Sequence, residues 1–398
     1  MTIGLLLTTG ILAACTSASA PHRPASPPGG TGSSAVRTIP LPPATGASTP
    51  ANPQSPRTAT VLGSGDVLIH PPLWEQAHAD ALAQGRHGYD FGPMYASIAP
   101  DVQAADLATC EMETPLAKPQ GPFSGWPDFN APPQVLTALK DVGYQSCTTA
   151  SNHSIDQGYD GVKRTLDELD AAGLRHTGSA RTAAEASRPL IVTLPNGVRI
   201  GQLAYSFGFN GIPMPSDKPW LANLTDIARI RAAARAEKQA GADIVVLSMH
   251  WGTEYDHVAT QDQRDEARRL LRSPDIDLIL GDHAHVVQPA ERIHGKWVFY
   301  CMGNQISRHA DPIAEGREGV MPRVTFTEVS PHHFTVTAAE AIPTWMEDEP
   351  KLRLIDLPWA LDSSTLSATQ RTADERAHAE IVRYLDAYGA QRAGLTIR

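Results

Sequence analysis

Two patterns of apolar and polar residues divide the chain. From residue 16 to about residue 57, Pro, Ser, Thr, Gly and Ala dominate and large apolar side chains are almost absent. Such a segment buries too little surface to offset the entropy of ordering it, so residues 16–58 read as a disordered stalk. From Ala59 onward, short apolar runs alternate with stretches of helical period. Residues 60–69, 106–112, 144–149, 243–249, 276–280 and 296–301 read as strands. Residues 73–84, opened by Pro71-Pro72, read as a helix, as do residues 133–142, stopped by Gly143. In 158–172, Val162, Leu166 and Leu169 share one helical face before Gly173. Residues 227–240, 261–272 and 372–387 are further expected helices. Residues 190–194 and 198–206 flank Pro195-Asn196-Gly197 and read as a hairpin, and 323–329 with 333–339 as a second. Strands alternating with helices, plus two hairpins, point to a layered α/β domain with a mixed sheet or two stacked sheets.

Length and charge narrow the partners. The 398 residues suit one large domain with tails, and 41% of them are apolar, enough for a sizeable core. The formal charge of −10 excludes any global electrostatic attraction to nucleic acid. An anionic substrate therefore needs a local positive centre, and a bound metal ion is the obvious one.

The first residues carry a processing signal. Residues 3–14 are mostly apolar but too short to span a bilayer, and they end in Leu12-Ala13-Ala14-Cys15, which resembles a lipobox. The expectation is a lipoprotein-type signal peptide over 1–15, lipid on Cys15, and a domain held at the outer face of the cell membrane or secreted. Met1-Thr2 supplies no basic region, and a plain cleaved signal with an incidental Cys15 is the alternative. Cys110, Cys147 and Cys301 are odd in number and sit in or near expected strands, so they read as free buried thiols.

The chemistry collects at the ends of strands. Five strand-like runs lead into Asp66, Glu111-Met112-Glu113, Asn152-His153, His250 and Asp282-His283-Ala284-His285. Ligands of open α/β sheets bind outside the carboxyl ends of strands, so these residues converge on one expected site. Taken singly, each has an ordinary explanation: Asp66 as a cap, Asn152-His153 as a hydrogen-bonded core pair, His250 as packing beside Trp251. Taken in order, neutral imidazole with carboxylate suits Zn, Mn or Fe, as one ion or two.

As an ordered set, Gly65-Asp66-Val67-Leu68, Glu111-Met112-Glu113-Thr114-Pro115, Ser151-Asn152-His153, His250-Trp251-Gly252-Thr253-Glu254-Tyr255, His283-Ala284-His285-Val286-Val287-Gln288-Pro289 and Met302-Gly303-Asn304-Gln305 resemble the serial motifs of the CapA (poly-γ-glutamate capsule biosynthesis) family, in the calcineurin-like metallophosphatase superfamily. The resemblance covers about residues 60–305, with a hairpin to about 341 completing the fold. It implies a four-layer α/β/β/α sandwich over 59–345, followed by an extension over 346–398 with a terminal helix. It also implies metal ligation by Asp66, Glu113, Asn152, His250, His283 and His285, with Asn152 and His153 serving catalysis. His70, Glu111, Glu254, Asp282 and Asn304 are implied supporting residues. Three positions depart from the superfamily pattern. Leu68 stands where the first His is usual, with His70 two residues on; Glu111 replaces Asn or His; Asp282 replaces a His.

The function implied is a metal-dependent hydrolase, acting outside the cell in synthesis, export or attachment of an anionic γ-linked polymer, or on a small molecule. The alternatives are a non-catalytic, metal-dependent polymer-binding subunit of a membrane export complex, and a metal-free scaffold lipoprotein. The loop 121–130, with Phe123, Trp126 and Phe129, reads as a packed surface loop, with a lid over the site as the alternative.

Overall fold

The strand that carries Asp66, β1 (Thr58–Val67), lies inside a nine-stranded sheet and sets the geometry of everything around it. The structure, a computed structural model, describes residues 56–308 and 315–398. The signal peptide, the lipid on Cys15 and the stalk up to residue 55 lie outside the described residues.

The elements follow in chain order. After β1 come α1 (Pro71–Ala83), β2 (Leu107–Glu111), α2 (Val135–Val142), β3 (Ser146–Thr148), α3 (Gly158–Ala171) and β4 (Arg175–Thr177). Next are β5 (Leu190–Thr193), β6 (Arg199–Ser206), α4 (Ile227–Gln239), β7 (Ile244–His250), α5 (Gln261–Leu271) and β8 (Leu278–Asp282). Then follow β9 (Ala290–Ile293), β10 (Lys296–Phe299), β11 (Asn304–Ile306), β12 (Glu318–Ser330) and β13 (His333–Glu347). The chain closes with β14 (Arg353–Asp356), α6 (Leu357–Asp362), α7 (Ala368–Leu385) and β15 (Leu395–Ile397). Short helical turns lie between α1 and β2.

The first sheet has the order β14-β13-β12-β1-β2-β3-β4, with β11 also on β1 and β15 on β13; the second is β5-β6-β7-β8-β10-β9. β1 to β4 run parallel, as do β6, β7 and β8. The core clusters give the layers. Leu62, Ala108 and Cys110 pack with Leu73 of α1, Leu139 of α2 and Leu166 of α3 on one side of the first sheet. Val61 and Leu107, on its other face, meet Ile200, Val246 and Leu278 of the second sheet. The far face of the second sheet packs Val245, Leu247 and Ile279 against Ile230 and Ala234 of α4 and Leu270 of α5. The order is helix, sheet, sheet, helix, the sandwich that the family resemblance implies. Alternate residues of the buried strands face opposite layers, which is why these strands read as continuous apolar runs.

Where boundaries moved, local chemistry explains it. α7 starts four residues before the expected 372, because Ser367 and Gln370 form a capping box. The last hairpin is longer than expected, since Pro322 and Pro343 sit within β12 and β13 where proline argues against a strand. β4, β9, β11, β14 and β15 have only three or four residues each, too few for a periodic signal. Residues 346–398 add β14 and β15 to the first sheet through β13.

The cysteine expectation is overturned in part. Cys110 and Cys147 are register partners on adjacent strands and form a disulfide, with Cα atoms 4.5 Å apart. Parity allowed one pair among three thiols; only the pairing of β2 with β3 selects it. Cys301 remains free and buried, as read.

Candidate metal centre

Strand register brings the chemistry together. Asp66 pairs with Glu111 on one side and Asn304 on the other, at the point where the ladder of β1 is irregular. In the second sheet His250 pairs with Asp282. Glycine makes the close crossings possible: a Cβ on Gly65 would sit 1.8 Å from the Gly303 carbonyl oxygen, and one on Gly281 1.9 Å from that of Tyr300. Each glycine precedes a carboxylate of the site. Beyond β8, His283 and His285 take φ of 92° and 58°, the left-handed region where non-glycine residues are strained. The backbone N–H of His283 donates to both oxygens of Asp66, at 3.3 and 3.2 Å, and holds that turn in place.

The side chains interlock across the two sheets. His285 Nδ1 is 3.2 Å from Asp66 Oδ2 and 3.1 Å from Asn304 Oδ1, leaving Nε2 3.7 Å from Glu113 Oε1. His250 Nδ1 lies 3.8 Å from Asp66 Oδ1 and 3.7 Å from Glu111 Oε1. Its Nε2 is 2.9 Å from Asn152 Oδ1 and 4.0 Å from Glu113 Oε1. Three sets of ligand atoms lie within 4.8 Å of one another: Asp66–Glu113–His285, Asp66–Glu111–His250 and Glu254–His283–His285. Asp66 belongs to two of them, the position of a carboxylate shared between neighbouring cations.

The electrostatics fit a cation. Neither oxygen of Glu111, Glu113 or Asp282 has a hydrogen-bond partner, nor has His250 Nδ1 or His283 Nδ1, and all five side chains are buried. Orphaned buried groups of this kind cost on the order of 1–3 kcal/mol each, and more when charged. Burial, and then the charges of Asp66, Asp282 and Glu113, push the Glu111 carboxyl well up. Burial drives Glu113 up too, and Asp282 rises through burial and the charges of Asp66 and Glu113. Burial, then His283 and His285, lowers His250 well below the usual imidazole range. His283 is pushed down to about 3 by burial and by His285. Both are therefore neutral, the ligating form. Burial opposes charge on His285, yet Glu113 and Asp66 carry it up to about 10. The carboxylates draw positive charge to their centre, which a divalent ion supplies more fully.

Most of the residues singled out in the sequence meet here: Asp66, Glu111, Glu113, Asn152, His250, Asp282, His283 and His285 are all buried at the cluster. Asn304 buttresses it, its amide donating to the carbonyls of His285 and Gly316. Glu254 is exposed yet within ligating distance of His283 and His285. His153 stands apart from the ligand sets, with Nδ1 2.7 Å from Asp156 Oδ2. His70 is not drawn in: its ring is 3.2 Å from the Leu68 carbonyl and meets Phe129 edge-on at 5.3 Å. It does not take the place of the histidine that Leu68 replaces.

Four residues had no role of their own in the sequence: Asp156; Tyr255, which closes the His250–Tyr255 motif; and Phe207 and Asn210, which lie in the segment 207–220 that with Pro213, Pro215 and Pro219 reads as a further wall of the site. Asp156 orients His153, and its i, i+3 spacing was the available signal. Asn210, with φ 49° before Gly211, accepts from Asn152 Nδ2 at 3.2 Å, which aims the Asn152 oxygen at His250. Phe207 lies over His283, ring centroids 4.5 Å apart, and Tyr255 faces His285 at 5.9 Å. The loop 121–130 divides: Phe129 is fully buried and Phe123 packs on Tyr89, while Trp126 projects at a cavity of about 500 Å³. His153, Asp156, Asn210, Tyr255 and His285 line the same cavity.

The two-sheet α/β/β/α sandwich has a metallophosphatase-like fold, with a buried carboxylate–imidazole cluster at its strand ends. Residues 60–309 match the bacterial capsule synthesis protein PGA_cap family, and the chain belongs to that family. It is 31% identical over 172 residues to the PGA biosynthesis protein CapA of Bacillus subtilis, covering 43% of this chain and 44% of that one. It is 25% identical over 226 residues to the capsule biosynthesis protein CapA of Bacillus anthracis, covering 55% and 54%. The chain thus spans about half the length of these curated relatives. Among solved structures it resembles the calcineurin-like phosphoesterase YfkN from Bacillus subtilis, with TM-score 0.44 and 16% identity over 83% of this chain and 99% of that one.

Proposed function

We propose that this chain is a metal-dependent hydrolase acting outside the cell in the synthesis, export or attachment of a poly-γ-glutamate-type capsule polymer, anchored at the membrane through Cys15. The capsule context rests on family membership. One observation carries the chemistry: Asp66 is common to two sets of ligand atoms whose remaining carboxylates, Glu111 and Glu113, have no hydrogen-bond partner.

Asp66, Glu113 and His285 would hold one divalent transition ion, and Asp66, Glu111 and His250 a second, with Asn152, His283 and Glu254 completing the shell. Such ions supply Lewis acidity and a nucleophile at neutral pH. The chain's own residues do the rest. Asn210 fixes the Asn152 amide so that its oxygen faces the cluster. Asp156 occupies His153 Nδ1, which leaves Nε2 to hand a proton to the leaving group at the cavity. Strands buried on both faces hold the ligands and keep water away from the cluster's far side.

The test is elemental analysis of the purified full chain together with turnover of phosphate esters and γ-glutamyl amides. The reading expects bound Mn, Zn or Fe, hydrolysis that a chelator stops, and an activity loss of about 100-fold or more in His153→Ala with metal retained. Metal without turnover on any of these, alongside polymer binding, would favour a metal-dependent polymer-binding subunit of an export complex. The observation on that side is Leu68, which stands where the superfamily's first histidine is usual, while His70 belongs to none of the three ligand sets among the described residues.

A further inference from the structure

The cavity over the cluster has an unusual lining for a protein associated with a polyanion. None of its ten lining residues among those described is Lys or Arg, whereas three, Asp128, Asp156 and Glu254, are acids. Below them lie the four buried carboxylates Asp66, Glu111, Glu113 and Asp282. Among the described residues the walls thus carry no Lys or Arg, and His285, at the edge of the cluster, is the lining residue raised towards a positive charge, so an anionic group is received at the cluster end of the cavity and not along its walls. A chain with a carboxylate on every residue would place its remaining charges against Asp128 and Glu254, and like charges at short range repel strongly in a partly desolvated cavity.

A second observation concerns aromatic surface. Only three Trp or Phe side chains are exposed among the described residues, Trp126, Phe207 and Trp359, and two of them stand at this site. Trp126 is 77% exposed and lines the cavity. Phe207 is 50% exposed and covers His283. Exposed indole and phenyl faces beside a polar centre recognise flat, uncharged surfaces, with the polar centre fixing the orientation.

Resting on the metal-centre reading above, we propose that the site takes an oxyanion ester or amide whose single anionic group meets the cluster and whose adjoining moiety is an uncharged ring stacked on Trp126. An internal stretch of anionic polymer is not seated in the cavity. The cavity volume of about 500 Å³ accommodates one such ring with its anionic group.

The experiment is calorimetric titration of the Mn-loaded full chain with methylphosphonate, phenylphosphonate, phosphonoacetate and a γ-glutamate oligomer. Phenylphosphonate is expected to bind roughly 10-fold more tightly than methylphosphonate, a typical gain for one stacked ring. Phosphonoacetate and the oligomer are expected to bind more weakly than phenylphosphonate. Trp126→Ala should erase the advantage of the phenyl group, and Trp126→Phe should retain most of it. Equal binding of phenyl- and methylphosphonate by metal-loaded wild type overturns the inference, as does tighter binding of phosphonoacetate or the oligomer, and the metal centre stands in either case. Protein that holds no metal brings down the metal-centre reading, and this inference with it.

Discussion

His285 Nδ1 lies 3.2 Å from Asp66 Oδ2, although 219 residues separate them along the chain. The contact joins the carboxyl end of β1 in one sheet to the turn after β8 in the other. It belongs to a cluster in which carboxylates crowd together with too few donors, an arrangement that is costly to fold unless a cation is bound.

Asp66→Asn tests that cost directly. Removing the shared charge relieves the repulsion that raises Glu111, Glu113 and Asp282. The metal-free variant is expected to melt at a higher temperature than metal-free wild type. Adding Mn should raise the midpoint of wild type and leave that of the variant almost unmoved. Thermal melts with and without chelator read both effects, and an equal metal-induced rise in the two proteins contradicts the shared-ligand geometry.

Asn304 holds His285 through Nδ1 at 3.1 Å and presents Nε2 to the cluster. Supports of this kind typically contribute about 10- to 100-fold in metal affinity. Asn304→Ala is expected to weaken metal binding by that factor in competition with a chromogenic chelator, without abolishing the fold. Unchanged affinity would mean that Asn304 does not position His285 for the metal.

Glu237 offers a pH test far from the metal. Its Oε1 accepts from the backbone of Leu190, Oε2 has no partner, and burial raises the carboxyl to about 7. The folded state therefore holds a proton that the unfolded chain, with an ordinary Glu value near ~4.3, has released. Stability is highest below the unfolded value and falls as pH rises towards 7, by on the order of 3 kcal/mol in total. In Glu237→Gln this fall should be absent, so the variant gains on wild type as pH rises from 4.5 to 8. Denaturant midpoints measured across that range check it; parallel curves would refute it.

The Cys110–Cys147 bond predicts a thiol count. Denatured but unreduced protein covering the described residues should expose one reactive thiol, Cys301, and three after reduction. The bond closes a loop of sequence separation 37, so Cys147→Ser should cost roughly 2–4 kcal/mol of stability. Three thiols before reduction would return both residues to the free form expected from sequence.

Much of the architecture was legible along the chain because its signals are local. Apolar runs of strand length, the Pro195-Asn196-Gly197 turn and the face shared by Val162, Leu166 and Leu169 each follow from neighbouring residues alone. So does the habit of strands running into Asp66, Glu111, His250 and Asp282, since a parallel strand buried on both faces turns polar only where it leaves the sheet. That regularity nominated the ligands before any distance was known.

Other features depend on which strand lies beside which. The disulfide exists because β2 and β3 pair in a register that opposes Cys110 and Cys147. Asn210, Phe207 and Trp126 reach the site from loops, whose paths are set by the packing they cross. His70, an apt candidate by sequence spacing, lies outside the three ligand sets among the described residues, its ring edge-on to Phe129. Sequence by itself determined the residue types and the strand ends that carry them, since periodicity and turn chemistry act over a few residues. Tertiary structure alone decided which of them meet, because register and layer stacking are settled by burial across the whole domain, and a shift of one residue would turn each of those side chains to the opposite face.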